Sequence, residues 1–440
     1  MTETISLNHL TKIEGHATLA LQIDGMQIKK CELSSVEGSR YFEGILKGHY
    51  YYEASEISSR ICGICSCAHT VAAIIAIERA LDVTPSPQTV ALRKLLTIGE
   101  RIRSHATHLY FLALPDYLGY ESALSMLPKY KKEIQRALKM MKVGNEIIKV
   151  VGGRDLHPVS ATVGGFLKFP PPEQILDLKT KLGSIAGDVE ETAKFIGSLK
   201  NPDYSHKTEY FSLYNGRTYS IFMGHIRSKS NDFTQKEYHK YIKEYHEPYS
   251  TANFVVKEGK SYMVGALARL NNNHSHLNQP AKKLVKSLGL KFPVTNPFMN
   301  NLAQAIELVH YVDRGMEICA SLKNVASEPL KKIQVKEGHG ISAIEVPRGT
   351  LWHEYVLDKE GKITYANIVT PTAQNLRNMQ DDIRDLLPGI LHLPNNQLVV
   401  EIEKLIRSYD PCFSCSTHFL KVKWLKGSKN RKIPSQKSNK

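Results

Sequence analysis

The chain has 440 residues, 42% of them hydrophobic, with seven cysteines and a formal net charge of +15 at pH 7, and this length can bury a large core in two or more lobes. It contains neither a run of about 20 apolar residues that could cross a membrane nor a secretory leader, so we expect a cytoplasmic protein with reduced thiols. About half of the excess positive charge lies in residues 419–440, and no basic stripe or nucleic-acid module occurs elsewhere, which argues against nucleic acid as a partner.

The hydrophobic pattern predicts short strands at the start of the chain and long helices after them. Residues 5–35 alternate apolar and polar side chains, which is typical of strands. Helical periodicity then recurs, and its ranges are 66–81, 92–113, 123–150, 173–198, 302–319, 374–387 and 396–408.

Three further segments are predicted to be β-structure. Residues 208–225 and 253–265 have the pattern of hairpins, the first with Asn215-Gly216 as its turn. A second β region is expected at 341–369, with its turn at Gly361.

These elements predict an α+β fold dominated by helices, in which small β-sheets lie at the periphery of a central bundle of long helices. We expect five segments along the chain. They are a β-rich region at 1–60, a helical bundle at 61–200, a mixed α/β insertion at 201–297, a helical and β region at 298–418, and a basic extension at 419–440.

A Cys-x2-Cys pair lies near the start of the chain, in Arg60-Ile-Cys-Gly-Ile-Cys-Ser-Cys-Ala-His69. If a helix begins near Gly63, the side chains of Cys62, Cys65 and His69 point to one side of it.

A second Cys-x2-Cys pair lies near the other end of the chain. Asp410 is predicted to cap a short helical turn that starts at Pro411 and presents Cys412, Cys415 and His418. The start of a helix lowers the pKa of a thiol, so both pairs favour thiolates.

Four thiolates that converge from the two ends would bind a soft or borderline metal, such as nickel, zinc or an iron–sulfur cluster. A structural zinc site is the simpler alternative. Zinc ribbons, however, usually carry their cysteine pairs much closer together in sequence.

Both motifs resemble the paired signatures of the large subunit of nickel–iron hydrogenases, R-x-C-G-x-C-x3-H and D-P-C-x2-C-x2-H. The pattern around the second motif, residues 407–420, most resembles the cytoplasmic bidirectional, NAD(P)-linked or sulfhydrogenase branch. The stretches between the motifs resemble family blocks in the expected order. These stretches are Lys12-Ile-Glu-Gly-His16, Arg40-Tyr-Phe-Glu-Gly-Ile-Leu-Lys-Gly48, Gly152-Gly-Arg-Asp-Leu-His-Pro158, Gly265-Ala-Leu-Ala-Arg269, Pro347-Arg-Gly-Thr-Leu-Trp-His353 and Pro371-Thr-Ala-Gln-Asn375.

The resemblance implies a catalytic subunit that cleaves H2 reversibly and heterolytically at a nickel–iron centre. Cys65 and Cys415 would bridge the two metals, while Cys62 and Cys412 would bind nickel alone. The iron would carry carbon monoxide and cyanide ligands, which no side chain supplies.

The resemblance also implies roles for residues around the metals. His69 would hydrogen-bond a bridging sulfur, and Glu14 would relay protons. Arg348 would stand over the iron, with Asp410 to orient it, and Thr372 would donate to a cyanide. Each residue also has a simpler structural interpretation without the resemblance. The interpretations are a buried core histidine for His69, an exposed strand glutamate for Glu14, a salt-bridged arginine for Arg348, a helix cap for Asp410 and a turn residue for Thr372.

A second metal site, for magnesium or iron, is implied at Glu43, His418 and the backbone carbonyl of Ile368. Oxygen ligands suit magnesium. Glu43 could otherwise be a helix-surface glutamate.

The cysteines outside the two pairs imply that electrons leave through another subunit. Cys31, Cys67 and Cys319 are too few and too scattered for a further four-cysteine cluster, and the chain has no G-x-G-x-x-G fingerprint. The resemblance implies that this other subunit is an iron–sulfur small subunit, and that flavin and NAD(P) bind to further subunits.

Family precursors carry a carboxy-terminal extension that a maturation protease removes after chaperones insert nickel. Here it would be residues 419–440, cut after His418; the alternative is an ordinary basic tail. Two other functions are possible, a zinc-stapled structural protein and a non-catalytic subunit like the complex I relative, although that relative lacks the cysteines.

Overall fold

The computed structural model describes residues 2–7, 9–25, 27–38 and 41–417. Its strands are β1 (Thr2–Leu7), β2 (Ala17–Asp24), β3 (Gln27–Ser35), β4 (Ala161–Thr162), β5 (Gly165–Phe166), β6 (Ser212–Tyr214), β7 (His225–Arg227), β8 (Asp232–Phe233), β9 (Ile242–His246), β10 (Asn253–Lys257), β11 (Gly338–Val346), β12 (Gly349–Leu357) and β13 (Ile363–Val369).

The α-helices are α1 (Phe42–Leu46), α2 (Ala54–Ser59), α3 (Ser66–Ala80), α4 (Pro87–Thr107), α5 (Leu114–Leu118), α6 (Ala123–Gly152), α7 (Pro172–Ser184), α8 (Ala186–Ser198), α9 (Tyr238–Tyr241), α10 (Ala266–Asn273), α11 (Gln279–Ser287), α12 (Asn300–Ser321), α13 (Pro371–Ile390), α14 (Asn395–Ser408) and α15 (Phe413–Ser416). A π-helical turn, His108–Ala113, continues α4. Short 3-10 turns occupy Gln235–Glu237, His274–His276 and Pro297–Met299.

The fold is α+β and dominated by helices, which confirms the predicted class. Helix α4 packs along α6 and α12, and α12 also contacts α7 and α8. The apolar side chains whose spacing predicted these helices, including Leu95, Ile102 and Ile306, are fully buried between them. Small antiparallel sheets surround this centre, and β11 and β12 lie against α3.

Helices α4 and α6 approach each other backbone to backbone. A Cβ atom at Gly144 would lie 2.7 Å from the carbonyl oxygen of Gly99 and 2.8 Å from the backbone nitrogen of Arg103. Only glycine therefore fits at this crossing. The contact fixes the second half of α4, which carries side chains that reach the cysteine motifs.

The sheets at the two ends of the chain follow the predicted pattern. Strands β1, β2 and β3 form an antiparallel meander, and so do β11, β12 and β13. The second meander turns through Gly361, which has a positive φ of 77°, as expected from the sequence.

Both predicted hairpins, at 208–225 and 253–265, are wrong in their strand pairing or turn. Strand β6 pairs with β7 across residues 215–224, not through a tight Asn215-Gly216 turn. The Asn215 side chain accepts hydrogen bonds from the backbone N–H groups of Arg217 and Thr218, which makes a local turn inside a longer loop. Strand β10 pairs with β9, the strand that precedes it in the chain, and not with a strand that follows it. The hairpin therefore spans 242–257 instead of 253–265.

The single helical range predicted at 173–198 is divided into α7 and α8. The backbone leaves the helical conformation at Ile185, with φ −106° and ψ 2°. The apolar periodicity continues through the break, so spacing alone could not reveal it. The predicted division of the chain into five segments stays a prediction, and 419–440 lie outside the described residues. Among the residues described, no helix has both the length and the apolar character needed to cross a membrane.

Candidate metal centre

The four cysteines of the two motifs meet in the protein interior. The Sγ atoms of Cys65 and Cys415 are 3.1 Å apart, those of Cys62 and Cys412 are 3.6 Å apart, and those of Cys412 and Cys415 are 2.9 Å apart. All four sulfurs lie within 4.8 Å of one another, and all four side chains are buried. Thiolates bound to one metal at about 2.3 Å cannot be much more than about 4.6 Å apart. The predicted meeting of the motifs is therefore confirmed.

The first motif lies in the turn before α3. The helix begins at Ser66, so the expectation of a start near Gly63 is wrong by three residues. The Ser66 hydroxyl donates to the carbonyl of Gly63 at 3.1 Å and holds the turn between the two cysteines. His69 lies in the first helical turn, with its backbone N–H bonded to the carbonyl of Cys65 at 3.1 Å.

A buried carboxylate, which no local sequence pattern indicated, caps this helix. Glu100, on α4, accepts hydrogen bonds from the backbone N–H groups of Cys67 and Ala68, at 2.8 and 3.2 Å. Burial raises the pKa of Glu100 to about 6, although Arg103 lowers it. The carboxylate satisfies donors that the start of a helix leaves free.

The second motif lies at the short helix α15, which begins at Phe413 with Cys412 as its N-cap residue. The prediction that Asp410 caps a helix starting at Pro411 is therefore wrong. Asp410 has a positive φ of 51°, and no side chain makes a cap hydrogen bond at the start of α15. The carboxylate instead accepts a hydrogen bond from the Gln304 amide at 3.0 Å.

A bent segment near the start of the chain pairs with the second motif. Glu14 forms a parallel bridge with Cys412, and its carbonyl accepts a hydrogen bond from the backbone N–H of Phe413 at 2.9 Å. The next residue, Gly15, has a φ of +85°, and a Cβ atom there would lie 2.8 Å from the backbone nitrogen of Ser414. Glycine is required at this contact by both its conformation and its size.

The closeness of the four cysteine thiols opposes the loss of all four protons, because only the pKa of Cys62 is lowered and those of Cys65, Cys412 and Cys415 are raised. Hydrogen bonds from the thiols of Cys412, Cys415 and Cys65 hold the pKa of Cys62 well below its usual range. Contacts with Cys412 and Cys62 raise the pKa of Cys415. One thiolate is thus stabilised at the expense of its neighbours. A bound metal cation would allow all four to bind as thiolates, so this donor set fits a soft or borderline metal.

Glu14 and Arg348 both interact electrostatically with the cysteines of the cluster. Burial raises the pKa of the Glu14 carboxyl group, the Cys62 thiolate raises it further, and Arg348 lowers it. Burial also lowers the pKa of Arg348, but Asp410 and the cysteine thiolates outweigh this effect, so the arginine stays cationic. Glu14 is therefore a carboxyl group that holds a proton more readily than an exposed glutamate does.

Arg348 lies at the tip of the hairpin formed by β11 and β12. Its guanidinium is 3.1 Å from the carboxylate of Asp410 and donates to the Ser104 hydroxyl at 3.5 Å. Arg348 lines a small cavity together with Thr372 and three of the cysteines, Cys65, Cys412 and Cys415.

Thr372 lies in the first turn of α13. Its hydroxyl oxygen accepts a hydrogen bond from the backbone N–H of Cys412 at 2.8 Å. The hydroxyl proton can therefore be donated to another acceptor in the cavity.

His69 begins a buried chain of hydrogen bonds that continues through His353 to Tyr355. Its Nδ1 atom lies 3.0 Å from Nε2 of His353, and Nδ1 of His353 lies 2.8 Å from the Tyr355 hydroxyl. His353 is the last residue of one of the blocks quoted from the sequence, but its contact with His69 was not predicted.

Glu43 and Ile368 are neighbours, as the predicted second metal site requires. The backbone N–H of Ile368 donates to the Glu43 carboxylate at 2.8 Å. The third predicted ligand, His418, lies outside the described residues.

The family model described as nickel-dependent hydrogenase matches residues 40–139 and 212–418. Sulfhydrogenase 1 subunit alpha from Pyrococcus furiosus is 35% identical over 424 residues, which cover 95% of this chain and 98% of that protein. The NAD-reducing hydrogenase HoxS subunit beta from Cupriavidus necator is 25% identical over 480 residues, which cover 96% of each.

A solved structure has the same fold over nearly the whole chain. It is the crystal structure of an NAD+-reducing [NiFe]-hydrogenase in the H2-reduced state, with a TM-score of 0.88 and 25% sequence identity. The match covers 94% of this chain and 99% of that one. These likenesses confirm the resemblance predicted from the sequence motifs.

We predict that Gly15→Ala displaces the second motif and lowers the nickel content of the purified protein, because the methyl group would collide with the backbone of Ser414. Gly25→Ala is the matched control. Gly25 also has a positive φ, of 61°, but its Cβ would meet nothing within 4 Å. The control should show only backbone strain of about 1–2 kcal/mol in thermal unfolding, and keep its nickel. Wild-type nickel content in Gly15→Ala would contradict the prediction.

Proposed function

Because the chain belongs to the nickel-dependent hydrogenase family, as a large catalytic subunit, we propose that its four clustered cysteines hold a nickel–iron centre at which H2 is cleaved reversibly and heterolytically. The observation that carries this proposal is the convergence of four buried sulfurs within 4.8 Å of one another. When bound, the centre supplies the site that accepts the electron pair of H2.

We assign the bridging positions to Cys65 and Cys415, and the terminal nickel positions to Cys62 and Cys412. The 3.1 Å separation of the Cys65 and Cys415 sulfurs suits two thiolates that share two metals. Both also line the small cavity that Arg348 and Thr372 line, as does Cys412, so the division into bridging and terminal cysteines follows the family motif. His69 follows Cys65 by one helical turn, which suits its proposed hydrogen bond to a bridging sulfur.

Glu14 is proposed to carry the proton away from the centre. Heterolytic cleavage requires a base near the metals, and a thiolate can take the proton first and pass it to a carboxylate. The raised pKa of Glu14 supports this step, because a carboxyl group with a higher pKa accepts a proton more readily near neutral pH.

Arg348 is proposed to donate a hydrogen bond to one cyanide ligand on the iron, and Thr372 to the other cyanide. Arg348 stays cationic in a buried setting, and its guanidinium is 3.1 Å from Asp410, which can orient it. Buried, fixed donors of this kind can stabilise charge without reorganisation during the reaction.

A second metal ion, magnesium or iron, is proposed at Glu43, the carbonyl of Ile368 and His418. The 2.8 Å hydrogen bond from the Ile368 backbone N–H to the Glu43 carboxylate supports the closeness of these two residues.

Electrons are proposed to leave through an iron–sulfur small subunit. Within the described ranges, only the four motif cysteines form a group of His, Cys, Asp or Glu that could hold a metal. A relative is a subunit of an NAD-reducing hydrogenase. We therefore propose further flavin and NAD(P)-binding subunits, and a cytoplasmic location.

The metal content tests the proposed function against its alternatives. We expect nickel and iron at about one each per chain, and infrared bands from metal-bound carbon monoxide and cyanide. Cys65→Ser should abolish both the bands and H2 oxidation, whereas Cys319→Ser, a buried thiol outside the cluster, should leave them unchanged. A protein that contains only zinc would support the alternative of a structural zinc site, and a protein without metal would support a non-catalytic subunit.

Removal of the carboxyl group of Glu14 should interrupt proton transfer without disturbing the metals. We expect Glu14→Gln to lower the rate of H2 oxidation by about 10²- to 10⁴-fold, with infrared bands that match the wild type. Glu32→Gln, which removes a carboxylate paired with Lys30 on β3, is the control and should be fully active. Wild-type turnover in Glu14→Gln would exclude this role.

Maturation is proposed to remove residues 419–440 and leave His418 at the carboxy terminus. The intact mass of the active enzyme should then correspond to a chain that ends at residue 418. An active species with the full-length mass would refute the cleavage.

A further inference from the structure

We propose that Arg269 is a positioning residue for Arg348: it holds the backbone of the turn that carries Arg348 toward the four-cysteine cluster. This inference rests on the proposed function, because it assumes that Arg348 acts at the metal centre.

Arg269 contacts the turn through two backbone carbonyl groups. Its Nη1 atom donates to the carbonyl of Val346 at 2.8 Å, and its Nη2 atom donates to the carbonyl of Pro347 at 3.0 Å. These two residues directly precede Arg348. A change in the place of the Arg269 guanidinium would therefore move the backbone from which the Arg348 side chain starts.

Two buried carboxylates fix the guanidinium of Arg269 from the other side. Glu307, on α12, accepts two hydrogen bonds from it, at 2.6 and 2.8 Å, and Glu345, on β11, accepts one at 3.0 Å. Arg269 and both glutamates have side-chain exposures of 1% or less. All five N–H donors of the guanidinium are thus directed at acceptors, which leaves it one orientation.

Glu307 is itself held in place by two further side chains. The Tyr219 hydroxyl donates to one of its oxygens at 2.6 Å, and His105 lies 2.9 Å from the other. The network therefore connects α4, α10, α12 and β11 to the turn before Arg348.

The backbone of the turn is also pressed against the start of α10, the helix that carries Arg269. Gly349, with a φ of 141°, has no room for a Cβ atom, which would lie 2.4 Å from the Val264 side chain. A Cβ atom at Gly265 would lie 3.3 Å from the carbonyl oxygen of Arg348. The turn and the helix can therefore move only together.

The side chain of Arg348 is held less firmly than its backbone. It has one ion pair, with Asp410 at 3.1 Å, and one long hydrogen bond, to Ser104 at 3.5 Å. Its Nε atom has no hydrogen-bond partner in the part of the chain that the structure describes. The place of the guanidinium therefore depends on the backbone that Arg269 fixes.

The test compares Arg269→Lys with Arg93→Lys in the complete enzyme. Lysine keeps the positive charge but has only three donors, so it cannot serve two carboxylates and two carbonyls together. Arg93 is the matched control, since it is equally buried and makes two hydrogen bonds to Glu78, at 2.8 and 2.6 Å. Glu78 lies near the end of α3, about 18 Å along the helix from Ser66.

We expect Arg269→Lys to keep its nickel and iron, to shift the infrared bands of the cyanide and carbon monoxide ligands, and to lower kcat by about ten- to a hundredfold. Arg93→Lys should lower the Tm to a similar extent while the bands and kcat stay those of the wild type. A merely stabilising role for Arg269 predicts the same pattern as the control, so wild-type bands and kcat in Arg269→Lys would overturn the proposal.

Glu345→Gln keeps the test decisive if Arg269→Lys does not fold. It removes the negative charge that faces Arg269 and leaves one acceptor oxygen where Glu345 has two, which serve Arg269, Leu213 and Thr350. It should shift the bands in the same direction by a smaller amount. Unchanged bands and kcat in this variant would overturn the proposal. A wild-type enzyme without nickel, iron or these bands would instead refute the proposed function itself.

Discussion

The structure depends on the meeting of four buried sulfur atoms from the two ends of the chain. The closest sulfur pairs are 2.9 and 3.1 Å apart. Thiolates at such distances repel one another strongly in the protein interior, where the effective dielectric constant is low. The cluster is therefore a site that favours a metal cation. We infer that the final packing of the two motifs is coupled to metal insertion.

The residues around the sulfurs form a polar shell whose charges are paired. Arg348 lies against Asp410, Glu100 accepts from the start of α3, and Arg269 binds two carboxylates. Buried ionic groups are costly when they lose a partner, because the remaining charge is left without solvent or a counterion. This pairing gives the centre fixed donors and acceptors, so that a proton or electron can arrive or leave without rearrangement of its surroundings.

The sequence was sufficient to predict the cluster because thiolate chemistry needs few residues at short spacings. Apolar periodicity was likewise sufficient to predict the long helices, because the side chains on the buried face of each helix are apolar and recur at helical spacing. Contacts between distant parts of the chain were not predictable in this way. The cap prediction for Asp410 failed because its carboxylate serves Gln304 and Arg348 instead of the adjacent helix. Glu100 and His353 were missed because their partners lie 33 and 284 residues away in sequence.

X-ray absorption at the nickel edge, on the purified enzyme complex, tests the central claim most directly. The account predicts that the nickel is surrounded by sulfur at about 2.3 Å, a typical length for a metal–thiolate bond, with iron as the nearest metal neighbour. Nickel bound mainly by nitrogen or oxygen, or a protein that carries zinc in place of nickel, would contradict it.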